Sequence, residues 1–343
     1  MKQTKRNRNI DRFTARAATL EDVDLIVNLA NAAALEDTGM LDTTREDKLI
    51  EWGLPQFSLA DDSHLLLAPD GQAAGFVELW DSEPHVRHIL WGRVHPDHRG
   101  LGLGSRLMEW AEARARQGLH RSPPGTRVSI HTSTAHQNKA AHELFQLRGY
   151  TPSRHYFRML IEMAPDTPPP APVWPKGITV RPYVMGQDDR DVHRAIDEAF
   201  QDHWGYVAEE RFEEWVHWIE HDSTFDPSTC FLALSNESGD EQIVGVLMSR
   251  PAWEVDPGIA WIDELGVLRP WRRRGIALAL LHQVFGEYHR RAKYKVGLGV
   301  DGNSLTGATS LYERAGMHVF HQVDAYEKIL RSGQDLSTQS LED

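Results

Sequence analysis

The chain has 343 residues, 25% charged and 41% apolar. That is the balance of an ordinary globular protein, and the length suits two domains that each bury a core. A formal net charge of −13 argues against nucleic acid or an anionic membrane as partner and favours a cationic one such as an amine. No apolar run approaches the ~18 residues of a membrane span. The basic start MKQTKRNRNIDRF has no apolar segment behind it, so the expected compartment is the cytoplasm. One cysteine, Cys230 in TCFLALS, excludes an internal disulfide and reads as a buried small hydrophobe on a strand.

In chain order, Arg12–Ala18 predicts a strand and Leu20 to about Glu36 a helix. His64–Trp80 predicts a hairpin turning at Asp70-Gly71, and His88–Val94 a strand. A glycine loop and a helix to about Gln117 follow, then a strand at Thr126–Thr132, a helix at His136–Gly149 and a strand at Ser153–Ile161. The proline-rich stretch 164–176 reads as an extended linker. Beyond it the order recurs. Gly177–Tyr183 is a strand, Asp191–Phe200 and Arg211–Glu220 are helices, and Thr229–Ser249 is a hairpin. Gly258–Leu268 is a strand, followed by an arginine-rich loop and a helix to about Ala292. Lys295–Val300 is a strand, Ser304–Gly316 a helix and His318–Leu330 a strand. The expected domains are 1–163 and 177–331, with an acidic tail at 332–343.

Three anchors support a duplication. Thr14-x-Arg16 recurs as Thr179-x-Arg181, Arg99-x-x-Gly102 as Arg272-x-x-Gly275, and Leu144-Phe145-x-x-x-Gly149 as Leu311-Tyr312-x-x-x-Gly316. In each half a strand feeds a glycine loop that opens a helix. Such a loop aims free backbone N–H groups and the helix dipole at one point, which suits a phosphate. The residues concerned are Val94, Arg99, Gly100, Leu101, Gly102, Leu103 and Gly104 in the first half. In the second they are Arg272, Arg273, Arg274, Gly275, Ile276 and Ala277, where the extra arginines suit a ligand with several phosphates. A competing stretch, GLGVDG at Gly297–Gly302, matches a dinucleotide fingerprint but lacks the further βαβ units that a nicotinamide-binding domain needs.

Both halves resemble the GNAT (Gcn5-related N-acetyltransferase) family, whose pyrophosphate loop has the pattern Arg/Gln-x-x-Gly-x-Gly/Ala. The tandem arrangement is similar to that of the mycothiol synthase group within it. The resemblance implies an α/β (α+β) protein of two tandem GNAT folds, each a mixed, mostly antiparallel sheet flanked by helices. It implies an acetyl-CoA-dependent N-acetyltransferase acting on a small, cationic amine by direct transfer in a ternary complex.

It also implies roles for single residues. Tyr312 stands where the family places a proton donor to the departing thiolate, while the first half has Phe145, which cannot donate. The second half is therefore expected to catalyse. Glu264 leads as general base with Asp263 close behind, the two read as lying on opposite faces of one strand. Backbone N–H groups of Val267 and Leu268 are expected to hold the carbonyl oxygen and the pantetheine arm. Asn303 stands one position before the family's asparagine, where Ser304 falls. Asp202, His203, Trp204 and Tyr206 form a loop expected to bind the amine, whereas Phe212, Trp215 and Ile219 have the spacing of core residues. The eighteen histidines show no metal-ligand spacing. A non-catalytic acyl-CoA-binding or sensing protein is the alternative, and a monomer or homodimer is expected.

Overall fold

A computed structural model of the chain describes residues 12–207, 211–237, 239 and 241–340. Cα packing divides it into two units, Met1–Arg154 with Val323–Leu336, and His155–Gln322 with Ser337–Asp343.

In the first unit, strands β1 (Thr14–Arg16), β2 (Ser63–Leu67), β3 (Ala73–Asp81) and β4 (Arg87–Val94) run antiparallel in succession. Strand β5 (Val128–Ala135) lies parallel to β4, but only from Arg87↔Ser129 to Ile89↔His131. Helix α1 (Val23–Thr38) follows a capping box of Thr19 and Asp22 and ends at Gly39 in the left-handed region. Its residues Val23, Ile26, Leu29, Ala30 and Ala33 share one stripe, buried against Leu65 and Phe76 on one face of the sheet. Helices α2 (Arg45–Trp52) and α3 (Leu59–Asp62) follow α1. The opposite face carries α4 (Leu103–Gly118) and α5 (Lys139–Leu147), packed around Leu103, Leu107, Ala111, Ile130 and Phe145.

In the second unit, β7 (Ile178–Pro182), β8 (Phe231–Ser235), β9 (Gln242–Arg250) and β10 (Ala260–Val267) repeat the antiparallel series. Strand β11 (Lys295–Asp301) is parallel to β10 from Ala260↔Val296 to Ile262↔Leu298 and no further. Helices α6 (Asp189–Phe200) and α7 (Phe212–His221) cover one face; α8 (Ile276–Arg290) and α9 (Ala308–Arg314) cover the other. The predicted stripe Leu280, Leu281, Val284 and Tyr288 is wholly buried. Burying an apolar side chain of this size contributes about 1.5–3 kcal/mol. Trp215 and Phe212 pack in the α6/α7 core.

The last strand of each unit comes from the other half of the sequence. Strand β6 (Thr151–Glu162) pairs antiparallel with β11, Tyr156↔Asp301 to Glu162↔Lys295. Strand β12 (His318–Arg331) pairs with β5 over Val323–Arg331. The sequence reading gave each half its own closing strand. The tail differs too, since Gln334 accepts from the Arg127 N–H in the first unit while Ser337 onward belongs to the second.

Candidate active site

The two loops have one backbone shape. In the first, His95 has φ/ψ −56/137, Arg99 −64/156 and Gly102 92/2. In the second, Leu268 has −57/140, Arg272 −67/160 and Gly275 93/0. Gly102 and Gly275 cap α4 and α8 in a conformation that a side chain would strain. The first helical hydrogen bonds run from Arg106 N–H to Gly102 C=O (3.2 Å) and from Ala279 N–H to Gly275 C=O (3.0 Å). The N–H groups before them, on Leu103 to Ser105 and Ile276 to Leu278, are the unspent donors of a helix start, reinforced by its dipole.

The arginines divide into two kinds, which residue type alone did not show. Arg272 donates Nε to Val267 C=O (2.9 Å), Nη2 to Ala199 C=O (3.0 Å) and Nη1 to the carboxylate of Asp202. Arg99 is bound in the same manner, with Nη1 to Asp37 at 2.8 Å and Nη2 to Ala33 C=O at 3.4 Å. These two residues, expected to bind phosphate, tie each loop to the helix behind it. Arg273 and Arg274 are exposed on the second loop. Arg274 lies over the Trp271 ring at 4.6 Å, and 3.7 Å from Glu237. Arg273 has φ 63, a left-handed value that costs a non-glycine residue about 1 kcal/mol. The first loop has Gly100, φ 74, and Leu101 at these two places.

Beyond Ile262↔Leu298 strand β10 leaves β11, and beyond Ile89↔His131 strand β4 leaves β5. Each unit therefore has an opening in its sheet beside the loop. The N–H of Leu268 is donated to Val244 C=O at 3.0 Å. The Leu268 N–H is thus spent within the sheet and is not open to the carbonyl oxygen or the pantetheine arm, which corrects that expectation for this donor. Antiparallel pairs alternate, so Val267, one residue back, turns its N–H away from β9 and into the opening. Val94 is placed alike, since the His95 N–H is donated to Ala74 C=O at 3.0 Å.

The openings differ in their walls. Strand β10 has a bulge at Asp263, between Ile262↔Ser249 and Glu264↔Met248, whereas β4 pairs with β3 without interruption. A bulge breaks the alternation of side chains. Glu264 lies opposite Met248, a residue of the α6/α7 core, and Asp263 reaches Arg250 two residues further along β9 on that same face. The two acids therefore share a face and do not lie on opposite ones. Both oxygens of Asp263 are taken by Arg250, at 2.8 and 3.1 Å. Tyr312 sits on α9 in the core of the other face, and burial pushes its hydroxyl up to about 12. The first unit has Phe145 on α5, packed against Tyr326 at 5.2 Å.

Models of the acetyltransferase (GNAT) family match residues 26–150 and again 190–317. The chain belongs to the GNAT family. It is 30% identical over 271 residues to a mycothiol acetyltransferase of Streptomyces griseus, covering 76% of this chain and 78% of that one. It is 29% identical over 221 residues to the mycothiol acetyltransferase of Streptomyces scabiei, covering 64% and 65%. Against the latter the chain spans just under two thirds of its relative's length. A solved GCN5-related N-acetyltransferase of Sphaerobacter thermophilus is 38% identical, with TM-score 0.78 over 96% of this chain and 99% of that one. The protein is thus a tandem GNAT acetyltransferase. Among its described residues no helix is long and apolar enough to cross a membrane.

Other expectations meet the GNAT fold differently. Asp202 is clamped by Arg269 and Arg272, and those guanidiniums hold its carboxyl below the usual range. Its charge is therefore committed within the unit, which removes it from the expected amine pocket. The His203 ring packs at a tilt against Phe200 (4.2 Å between centroids), and Tyr206 donates to Asp197 (2.8 Å). The tail holds this loop. Gly205 N–H donates to Thr338 C=O and Thr338 N–H to Tyr206 C=O, both at 2.8 Å, and Trp204 Nε1 donates to Gln339 (2.9 Å). Residues 337–339 of the expected acidic tail are thus engaged by this loop, while 341–343 lie outside the described residues. Asn303 is exposed in the turn after β11, and α9 starts only at Ala308 because Gly307 caps it at φ 73. Cys230 is fully buried, and burial pushes its thiol up to about 12. In the dinucleotide-like stretch, Gly297 lies within β11, where a Cβ would come 2.6 Å from the Trp261 ring. That glycine makes room for a tryptophan.

Helices α2 and α3 and the two Asp–Arg clamps were missed. The capping box of Thr44 and Asp47 was a readable signal for α2.

Proposed function

We propose that this GNAT protein transfers the acetyl group of acetyl-CoA to the amine of a small cationic molecule, with the chemistry in the second unit. One observation carries this reading. Only the second unit has an acid three residues before the loop's valine, a tyrosine at the matched place on its last helix and two exposed arginines on the loop, where the first has Trp91, Phe145, Gly100 and Leu101.

The residues present fit the coenzyme. Backbone donors of Gly275, Ile276 and Ala277 would hold a pyrophosphate oxygen each, with Arg273 and Arg274 supplying charge. Bound acetyl-CoA supplies an acetyl thioester at the opening. The Val267 N–H would hold its carbonyl oxygen as negative charge develops there. Glu264, whose neighbour Asp263 is engaged by Arg250, takes the proton that the ammonium must lose, directly or through a water. Tyr312, kept protonated by burial, gives its proton to the sulfur as the C–S bond breaks. The nitrogen loses two protons on its way from ammonium to amide: one ends on Glu264 before attack, and the second, released after the C–N bond forms, restores the phenol of Tyr312, whose own proton leaves on the thiol.

The relatives' name supports a small-molecule acceptor. The test is release of free thiol from acetyl-CoA across a panel of small amines. Amine-dependent release that is lost in Tyr312→Phe sustains the proposal; none across the panel, with coenzyme A still bound, would favour the binding or sensing alternative.

A further inference from the structure

In the first unit the position three residues before the loop's valine, Glu264 in the second, is Trp91. Its cross-strand partner is Glu78, where the second unit has Met248. The acid has moved from β10's counterpart to the neighbouring strand. An ammonium stands against this pair, and it belongs to the chain. Lys48 of α2 places Nζ over the Trp91 ring at 4.0 Å and 2.9 Å from Glu78 Oε1. Glu51 binds the same Nζ. Trp52 Nε1 donates to Glu78 Oε2 at 3.0 Å and Trp80 Nε1 to Oε1 at 3.2 Å. Glu78 is 1% exposed and Lys48 2%.

This is the composition of an ammonium site, with an aromatic face, a buried carboxylate that also accepts from two indole N–H groups, and the half-buried Glu51 and Arg93, the latter 4.8 Å from the Trp91 ring, at its rim. We propose that the first unit contains an ammonium-binding cage on its amine-facing side, and that Lys48 plugs it from within. The inference rests on the reading that the α1/α2 face of this unit corresponds to the acid-bearing face of the second. The first unit is then closed to acceptor amines whether or not its loop binds coenzyme A. The cage takes primary alkylammonium ions, because a donor N–H must reach Glu78 while the cation keeps contact with Trp91.

The experiment removes the plug and supplies it in solution. Lys48→Ala deletes Cγ, Cδ, Cε and Nζ, which propylammonium replaces atom for atom. The variant should lose about 6–12 °C in Tm, because a buried carboxylate is left without its cation. Millimolar propylammonium should restore at least half of that loss, while sodium or tetramethylammonium at equal ionic strength should not. Lys48→Met, which fills the space without charge, should show no propylammonium effect. A Lys48→Ala protein indifferent to propylammonium overturns the proposal. Should that variant fail to fold, the native chain still decides. Brief labelling with an acetylating reagent, read by peptide mass spectrometry, should leave Lys48 at least 100-fold less modified than exposed Lys139, and equal labelling overturns the plug. Thiol release by the second unit is measured alongside at 25 °C, so failure of the cage and failure of the transferase reading give separate results.

Discussion

The two GNAT units share a loop whose backbone angles agree within a few degrees, and they differ in almost every side chain that could do chemistry beside it. Phe145 stands for Tyr312, Trp91 for Glu264, Gly100 and Leu101 for Arg273 and Arg274, and a regular strand for a bulged one. The shape of the loop is a backbone property and survives substitution around it. The groups proposed for proton transfer, Glu264 and Tyr312, have Trp91 and Phe145 at the matching places in the other copy. Even the brace is conserved between copies, as Arg99–Asp37 and Arg272–Asp202. That pairing shows which arginine braces each loop.

The comparison can be broken most forcefully at Tyr312. Tyr312→Phe makes the second unit like the first at one atom, and kcat is expected to fall about 10²–10⁴-fold with little change in KM for acetyl-CoA. The pH profile sharpens the point. A donor with its hydroxyl pushed up to about 12 stays protonated through neutral and mildly alkaline pH, so kcat should show no alkaline fall below about pH 11. A fall centred near pH 10 that disappears in Tyr312→Phe would mean a phenol that burial does not protect.

A smaller effect is expected on the loop. Arg273→Gly copies Gly100 into the second cradle. It should raise Tm by about 2–4 °C as the left-handed strain is relieved, and raise KM for acetyl-CoA about tenfold as a phosphate partner is lost. Thermal unfolding and steady-state kinetics on the same sample read both. A change in stability without a change in KM would leave Arg273 no part in binding. The smallest effect belongs to the tail. A chain ending at Leu336 loses the backbone bonds of Thr338 to Gly205 and Tyr206 and should raise KM for the amine about threefold, with kcat nearly unchanged. Equal loss in kcat would move the tail's influence to the reacting atoms.

The sequence by itself determined the duplication, most helices and strands, the two loops and the Tyr312/Phe145 asymmetry. All of these are local, set by apolar periodicity, by glycines that must take positive φ and by residues at fixed spacing along the chain. Only the tertiary structure decided which strand closes each unit, because β6 pairs with β11 and β12 with β5, partners far away along the chain that a strand's own side-chain pattern does not name. It also decided that Asp263 is a bulge residue, since that depends on the spacing of β9 against β10 and not on β10 alone. The partners of Arg272, Asp202 and Lys48 belong to the same class. A charged side chain declares its type in the sequence, but what neutralises it is settled by elements packed against it from elsewhere in the chain, and burial then makes that pairing obligatory.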